Sequence, residues 1–162
     1  FAVLARAAER RIGEFSVQGL TNTAWAFASV AQSDMLLFTA LARVARQRVG
    51  DFSPQSLVNT AWAFAVSDFH SCRLFGSQFT HRCETTVWSG GDGQKCLCQL
   101  NQWVLWHWEL QAPLPLSPAL RDRCLASGRV LSALRCRPGR CPGADTSADT
   151  SAYRRRGIPR HP

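Results

Sequence analysis

The heptapeptide Asn-Thr-Ala-Trp-Ala-Phe-Ala occurs twice in this chain, at residues 22–28 and again at residues 59–65. The copies are 37 residues apart, and the same offset pairs Phe1 with Phe38, Leu4 with Leu41, Arg6 with Arg43, Gly13 with Gly50, Phe15 with Phe52, Gln18 with Gln55 and Leu20 with Leu57. Self-similarity with a period of about 20 to 50 residues is typical of stacked units that bury their apolar faces against one another. The sequence therefore predicts a repeat protein.

Each heptapeptide lies in a predicted amphipathic helix, over residues 17–31 in the first unit and 54–66 in the second. Leu20, Ala24 and Phe27 recur at helical spacing and define its apolar face. A neighbouring stripe carries Gln18, Asn22, Trp25 and Ser29. The apolar face is expected to pack inside the repeat array.

A helix also precedes each of these, because Leu4, Ala8 and Ile12 recur at helical spacing. Gly13 ends it, and Gly50 holds the same position in the second unit. Glycine is the usual residue in the left-handed position after a helix, so we expect that conformation at both.

Polar residues mark the start of the following helices. Ser16 and Ser53 can accept hydrogen bonds from the free amides of the first turn. Pro54 suits the first helical position, where no amide is needed. Ser33 and Asp34 indicate a cap for the helix that enters the second unit.

These patterns predict an all-α fold, an α-solenoid of helical-hairpin repeats with a period of 37 residues. Two hairpin repeats are predicted over residues 1–74, followed by a degenerate third repeat over 75–110 that contains a Gly-rich loop at 88–93 and then a Trp-rich helix. A Pro-rich linker and short helix over 111–126 and a basic Pro/Gly/Arg-rich tail over 127–162 complete the chain. The composition of the tail favours disorder.

The chain begins with Phe1 inside a helical pattern, which favours a piece of a longer array with any targeting segment upstream. Uncapped repeat ends expose apolar faces, so we also expect self-association through them. No run of about 18 apolar residues occurs, so no membrane span is predicted.

Positive charge is concentrated near the C-terminus. Residues 1–120 contain 9 basic and 8 acidic residues, whereas residues 121–162 contain 10 and 3, so the second part carries most of the net charge of +8. Nonspecific affinity for nucleic acid comes from neutralised phosphates. The near-neutral charge of the repeats therefore weakens the argument that they bind RNA by charge alone.

Neither metal binding nor catalysis has a clear motif. The 7 cysteines all follow the second repeat, and pairs such as His70-x-Cys72 and Cys96-x-Cys98 are spaced too closely for usual structural zinc. The carboxylates are scattered, and no nucleophile elbow or phosphate loop occurs. We expect no cofactor, no metal and no enzymatic activity.

The segments at residues 15–28 and 52–65 share the pattern Phe-Ser-x-Gln-x-Leu-x-Asn-Thr-Ala-Trp-Ala-Phe-Ala. This pattern resembles the repeats of organellar RNA-binding proteins of the octotricopeptide-repeat, FAST-kinase-like and RNA-editing substrate-binding complex subunit six families. Residues 97–125 are similar to the linker that precedes the RAP domain of such proteins, but a RAP domain is not recognisable after Ser127. The resemblance implies binding of single-stranded mitochondrial or plastid transcripts, alongside other RNA-processing proteins.

Positions that are identical in both units predict packing, whereas positions that differ can read a sequence of bases. The predicted structural set is Asn22, Trp25, Phe27, Asn59, Trp62 and Phe64, with base stacking as the alternative role of the tryptophans. The candidate RNA contacts are Arg6, Arg10, Arg43, Gln18, Gln55, Thr21 and Ser56. The arginines suit phosphates, although they also suit a solvated helix face.

A protein-interaction scaffold is the alternative function, because helical arrays present broad surfaces to peptides as well as to RNA. A column of polar side chains on the exposed face would favour RNA. An exposed apolar groove would favour a peptide or a helix.

Overall fold

The computed structural model describes residues 1–71, 73–111 and 116–135, with side chains described up to residue 128. Every regular element within those ranges is helical, which confirms the all-α prediction. The α-helices are α1 (Ala2–Arg11), α2 (Val17–Ser29), α3 (Met35–Gln47), α4 (Pro54–Val66), α5 (Ser77–Thr85), α6 (Gly90–Glu109) and α7 (Pro118–Arg135).

The first four helices form two hairpins that are built alike. A short 3-10 turn ends each first helix, at Ile12–Glu14 and Val49–Asp51. Ser16 then accepts a hydrogen bond from the Gly19 amide at 3.0 Å, and Ser53 accepts one from the Ser56 amide at 3.1 Å. Both serine caps were predicted, and so was Pro54 in the first turn of α4.

The left-handed positions of the first two hairpins are not at Gly13 and Gly50. Gly13 and Gly50 lie inside the 3-10 turns without positive φ, so this prediction was wrong. Positive φ occurs instead at Ala31 (φ 56°) and Asp68 (φ 52°), just after α2 and α4. A 3-10 turn shortens the link between the two helices and removes the need for a left-handed residue there.

The second helices of the hairpins pack side by side, α2 against α4 and α4 against α6. The helix α1 packs on α3, which also contacts α2. One continuous apolar core results, in which Phe38, Phe64 and Phe75 form a chain of edge-on ring contacts. Packing between these helices thus buries the apolar faces that the sequence pattern indicated.

Two further helices lie where the sequence indicated a degenerate unit, and we refer to them as the third hairpin. Its first helix, α5, is shorter than α3, and its second, α6, begins at Gly90. The predicted Gly-rich loop over residues 88–93 is therefore largely the first turn of a helix. Gly93 is needed there, since an added Cβ would lie 2.7 Å from the carbonyl carbon of Trp88.

The last helix, α7, packs along α6 and runs to Arg135. It is longer than the short helix predicted to end at residue 126, so the predicted start of the tail at residue 127 was wrong. Glu84 of α5 holds the start of α7 by accepting from the Ser117 amide at 2.7 Å and the Ser117 hydroxyl at 2.9 Å. The rest of the predicted tail and most of the Pro-rich linker lie outside the described residues.

Within the described ranges, none of the helices combines the length and the apolar character that crossing a membrane requires.

Candidate functional site

Two residue types that were predicted to be structural lie on the surface of α2 and α4. Asn22 is exposed, and the Trp25 side chain is 46% exposed. Asn59 and Trp62, their counterparts on α4, are partly exposed. Asn22 and Trp25 are therefore not core residues in the first unit, whereas Trp62 packs against the core with part of its surface exposed. The polar stripe beside the apolar face was the signal in the sequence that indicated their exposure.

The two tryptophans lie next to each other on this surface. Their ring centroids are 6.3 Å apart and their planes differ by 32°. Neighbouring rings with a moderate tilt form a short aromatic platform, and one flank of it remains open to solvent at Trp25. Such a platform suits flat partners, because an aromatic face attracts other flat or cationic groups.

Amide side chains lie on the same surface at the entrance of α4. Gln55 is exposed, and its Nε2 donates to Asn59 Oδ1 at 2.7 Å and to Gln99 Oε1 at 2.9 Å. Gln99 belongs to α6, so the amide network crosses from one hairpin to the next. Sequence reasoning missed Gln99 because α6 departs from the repeated pattern. We call Gln18, Asn22, Trp25, Gln55, Asn59, Trp62 and Gln99 the amide-tryptophan face.

Gln18 is exposed on α2 and belongs to that face, whereas Thr21 does not. Thr21 is only 3% exposed, and its hydroxyl shares a 3.4 Å hydrogen bond with the Thr60 hydroxyl between α2 and α4. The proposed base contact of Thr21 is therefore contradicted by its burial. Ser56 is partly buried at the α4 cap, 3.0 Å from the Ser53 hydroxyl.

The three candidate arginines lie on a different surface. Arg6 and Arg10 are exposed on α1, and Arg43 is exposed on α3. Arg6 also pairs with Glu9 at 3.3 Å, in a solvent-exposed contact that contributes little stability. The sequence-predicted RNA contacts are thus divided between two surfaces.

Phe27 and Phe64 occupy the positions expected of packing residues. Phe27 is 8% exposed and Phe64 is fully buried. Phe64 contacts Phe38, Phe69 and Phe75 through ring centroids between 5.2 and 5.7 Å apart. The repeated heptapeptide therefore places one aromatic residue in the core and another on the surface.

The described cysteines are Cys83, Cys96, Cys98 and Cys124, all of them free thiols. Burial raises the pKa of Cys83 to about 12, and the neighbouring Cys124 reinforces the shift. Such thiols stay protonated near neutral pH and make poor nucleophiles. Among the described residues, no group of three histidine, cysteine or acidic side chains is placed to hold a metal ion.

A second polar region lies in the cleft between the end of α3 and the start of α5. The cleft has a volume of about 620 Å³, and Arg46 and Arg73 line it with Gln47, Ser77 and Gln78. It lies apart from the amide-tryptophan face, and sequence reasoning missed it because Arg73 has no counterpart in the repeat.

Comparison with known proteins finds no matching family model, no matching curated protein and no matching solved structure.

Proposed function

We propose that this chain is part of an α-solenoid with a 37-residue repeat, and that its amide-tryptophan face binds single-stranded RNA without catalysis. The observation that carries the proposal is the exposure of Asn22 and Trp25. Both are identical in the second unit, yet neither is buried in the first. Both side chains are therefore accessible to a ligand in the first unit.

The chemistry of this face suits unpaired bases. Base stacking on an aromatic side chain contributes about 1 to 3 kcal/mol per base, and Trp25 offers an exposed ring for it. The side-chain amide of Gln18 carries both a donor and an acceptor, so it can pair with the edge of a base, whereas the Gln55 amide already donates to Asn59 and Gln99. A single strand is the fitting ligand, because its bases are free to leave a stack.

The repeat pattern supports an organellar setting for this activity. Its resemblance to organellar RNA-binding repeats favours transcript processing, stability or translation in the mitochondrion, with the plastid as the alternative. Other RNA-processing proteins are the expected co-partners.

A protein-interaction scaffold is the second candidate. The observation that favours it is the low net charge of residues 1–120, with 9 basic and 8 acidic residues. A peptide ligand needs no excess of positive charge, whereas phosphates attract it. The amide groups on the exposed face weigh against a purely apolar peptide groove.

Titration of the full chain with labelled 12-nucleotide RNAs, followed by fluorescence anisotropy at several salt concentrations, tests the RNA proposal. We expect Trp25→Ala to weaken binding by about 5- to 150-fold, since removing a stacked ring costs about 1 to 3 kcal/mol. Trp108→Ala is the matched control, because Trp108 is 52% exposed on α6 and outside the face. Its affinity should equal that of the wild type.

Two outcomes contradict the proposal. Equal binding by wild type and Trp25→Ala would move the RNA contact elsewhere, with the basic C-terminal residues the first alternative. Absence of RNA binding at low salt would favour the scaffold function, and a peptide-array screen would then identify the ligand.

A further inference from the structure

One hydrogen bond recurs at the junctions between hairpins. Arg48 Nη1 donates to the Phe15 carbonyl at 2.6 Å, and Arg82 Nη2 donates to the Phe52 carbonyl at 2.9 Å. Arg123 Nη2 does the same to the Trp88 carbonyl at 2.9 Å. The acceptor residues in each case come directly before the N-cap positions of the second helices, which are Ser16, Ser53 and Ser89.

We call this contact the entry hydrogen bond, since its carbonyl lies at the entrance to the second helix of a hairpin. Each arginine comes from the helix, or helix end, that follows along the chain. The bond therefore joins consecutive units. By donating through Arg123, α7 contacts the third hairpin in the way that the first helix of a fourth hairpin would. A charged donor makes such a bond stronger than one between neutral groups.

Arg11 is the counterpart of Arg48 in the first hairpin, 37 residues earlier. It lies at the end of α1, as Arg48 lies at the end of α3. Its guanidinium is exposed and bonds Glu14 at 3.0 and 2.8 Å through Nε and Nη2. Arg11, the equivalent of the arginine that links the later hairpins, is thus bonded at the surface to Glu14 of its own hairpin.

The apolar residues beside Arg11 show the same difference. Phe1 and Leu4 are each 62% exposed, whereas their counterparts Phe38 and Leu41 are 0% and 2% exposed. Both hairpins have a hairpin packed on the side that follows in sequence. In the second hairpin, the first hairpin also covers the side that precedes it in sequence. The greater exposure of Phe1 and Leu4 therefore corresponds to the apolar surface that a preceding hairpin covers at Phe38 and Leu41.

We propose that the α1 stripe, defined as Phe1, Leu4, Ala7, Ala8 and Arg11, is a docking surface for a further helical hairpin of the same repeat type. The partner inserts apolar side chains against Phe1 and Leu4. Arg11 gives up its bonds to Glu14 and donates instead to a backbone carbonyl of the partner. That carbonyl belongs to the residue directly before the N-cap of the partner's second helix. This inference is independent of RNA binding.

A second copy of this chain is a poorer occupant. Its entry carbonyls at Phe15, Phe52 and Trp88 are already bonded to its own arginines. A copy packed face to face would cover apolar surface but would offer Arg11 none of those three carbonyls. The partner is accordingly a hairpin whose entry carbonyl is free.

The test compares the chain with an extended form in which residues 1–37 are placed a second time ahead of Phe1. In the added hairpin, the carbonyl of the phenylalanine before the capping serine is free to accept from Arg11. The added hairpin would contact α1 as α1 and α2 contact α3. Arg11→Met, made in the original copy, should leave the thermal midpoint of the unextended chain within about 1 °C, because the side chain is exposed there. In the extended chain it should lower the midpoint by about 3–8 °C.

Arg10→Met is the matched control and should have no effect in either form, since Arg10 lies outside the stripe. An equal effect of Arg11→Met in both forms would overturn the proposal. Sedimentation of the unextended chain tests the other occupant. The uncapped end favours self-association, but the bonded entry carbonyls lead us to expect a monomer. A dimer that Leu4→Glu dissociates would assign the stripe to a second copy and overturn the assignment to a separate hairpin.

Discussion

At the scale of single residues, three non-glycine residues adopt left-handed backbone conformations at the ends of α2, α4 and α6. These are Ala31, Asp68 and Gln111. The Gln32 amide donates to the Phe27 carbonyl at 2.9 Å, which closes the end of α2 in the manner of a Schellman motif. The hydrogen bond holds Ala31 in a conformation that costs an L-residue about 1–2 kcal/mol.

Ala31→Gly should therefore raise the free energy of unfolding by about 0.5–1 kcal/mol, because glycine adopts positive φ without the Cβ clash. Urea unfolding followed by circular dichroism measures it. Ala26→Gly is the control on the same helix, where an exposed interior position should lose about 1 kcal/mol. Destabilisation by both substitutions to a similar extent would contradict the left-handed assignment.

The lowered pKa of His107 predicts how the stability of the folded chain changes as the pH falls. Burial lowers its pKa, and the positive charge of nearby His70 lowers it further, while a bond to the Trp103 carbonyl at 3.0 Å opposes the shift. A depressed pKa in the folded state means that the unfolded chain binds the proton more readily. Stability is then complete above the unfolded pKa of about 6.5 and is lost as pH falls through the folded value.

We expect the free energy of unfolding to fall by up to about 1.4 kcal/mol per pH unit in that window. His107→Phe should remove this component, which chemical denaturation at pH 7 and pH 5 measures. His81→Phe, at an exposed position, should leave it intact. A wild-type pH dependence that survives in His107→Phe would assign it to other groups.

At the scale of helices, the entry hydrogen bond ties α3 to the start of α2. Arg48→Met keeps the length of the side chain but removes the donor to the Phe15 carbonyl. Loss of a bond from a charged donor should cost about 1.5–3 kcal/mol of unfolding free energy. Arg46→Met, at an exposed position near the end of the same helix, should change it by less than about 0.5 kcal/mol. Equal effects would show that general charge, and not the bond, is measured.

Gly93, in the first turn of α6, lies where there is no room for a side chain. Gly93→Ala should destabilise by about 1–3 kcal/mol despite the better helix propensity of alanine, because the new Cβ would meet the Trp88 backbone at 2.7 Å. Gly91→Ala meets nothing within 4 Å and should be neutral or stabilising. Thermal unfolding of the two variants decides this, and a stabilised Gly93→Ala would mean that α6 starts later than Gly90.

At the scale of the whole molecule, the candidate arginines and the amide-tryptophan face lie on different surfaces. Arg6→Ala combined with Arg43→Ala should therefore change RNA affinity by less than about twofold and leave its salt dependence unaltered. If these arginines neutralised phosphates, their removal would measurably reduce the salt dependence. Anisotropy titrations at low and moderate salt test this, and a clear loss of affinity would place the phosphates on α1 and α3.

Much of the fold was predictable from residues close together in sequence. The helices of the first two hairpins, the caps at Ser16, Ser53 and Asp34, and the burial of Phe64 depend on local period and on short-range hydrogen bonds. A residue and its neighbours within one or two turns are sufficient to specify them.

Tertiary contacts decided the rest. Trp25 and Phe27 are two residues apart on one helix and so point in different directions, and the packing of the neighbouring hairpins determines how much of each side chain is exposed. Likewise, the glycines at the start of α6 are typical of a loop in sequence, and it is the backbone of Trp88 that requires one of them. The repeated sequence determined the helices and their caps, because those energies are local. Which face each helix presents to solvent was decided by packing between units, because burial depends on neighbours distant in sequence.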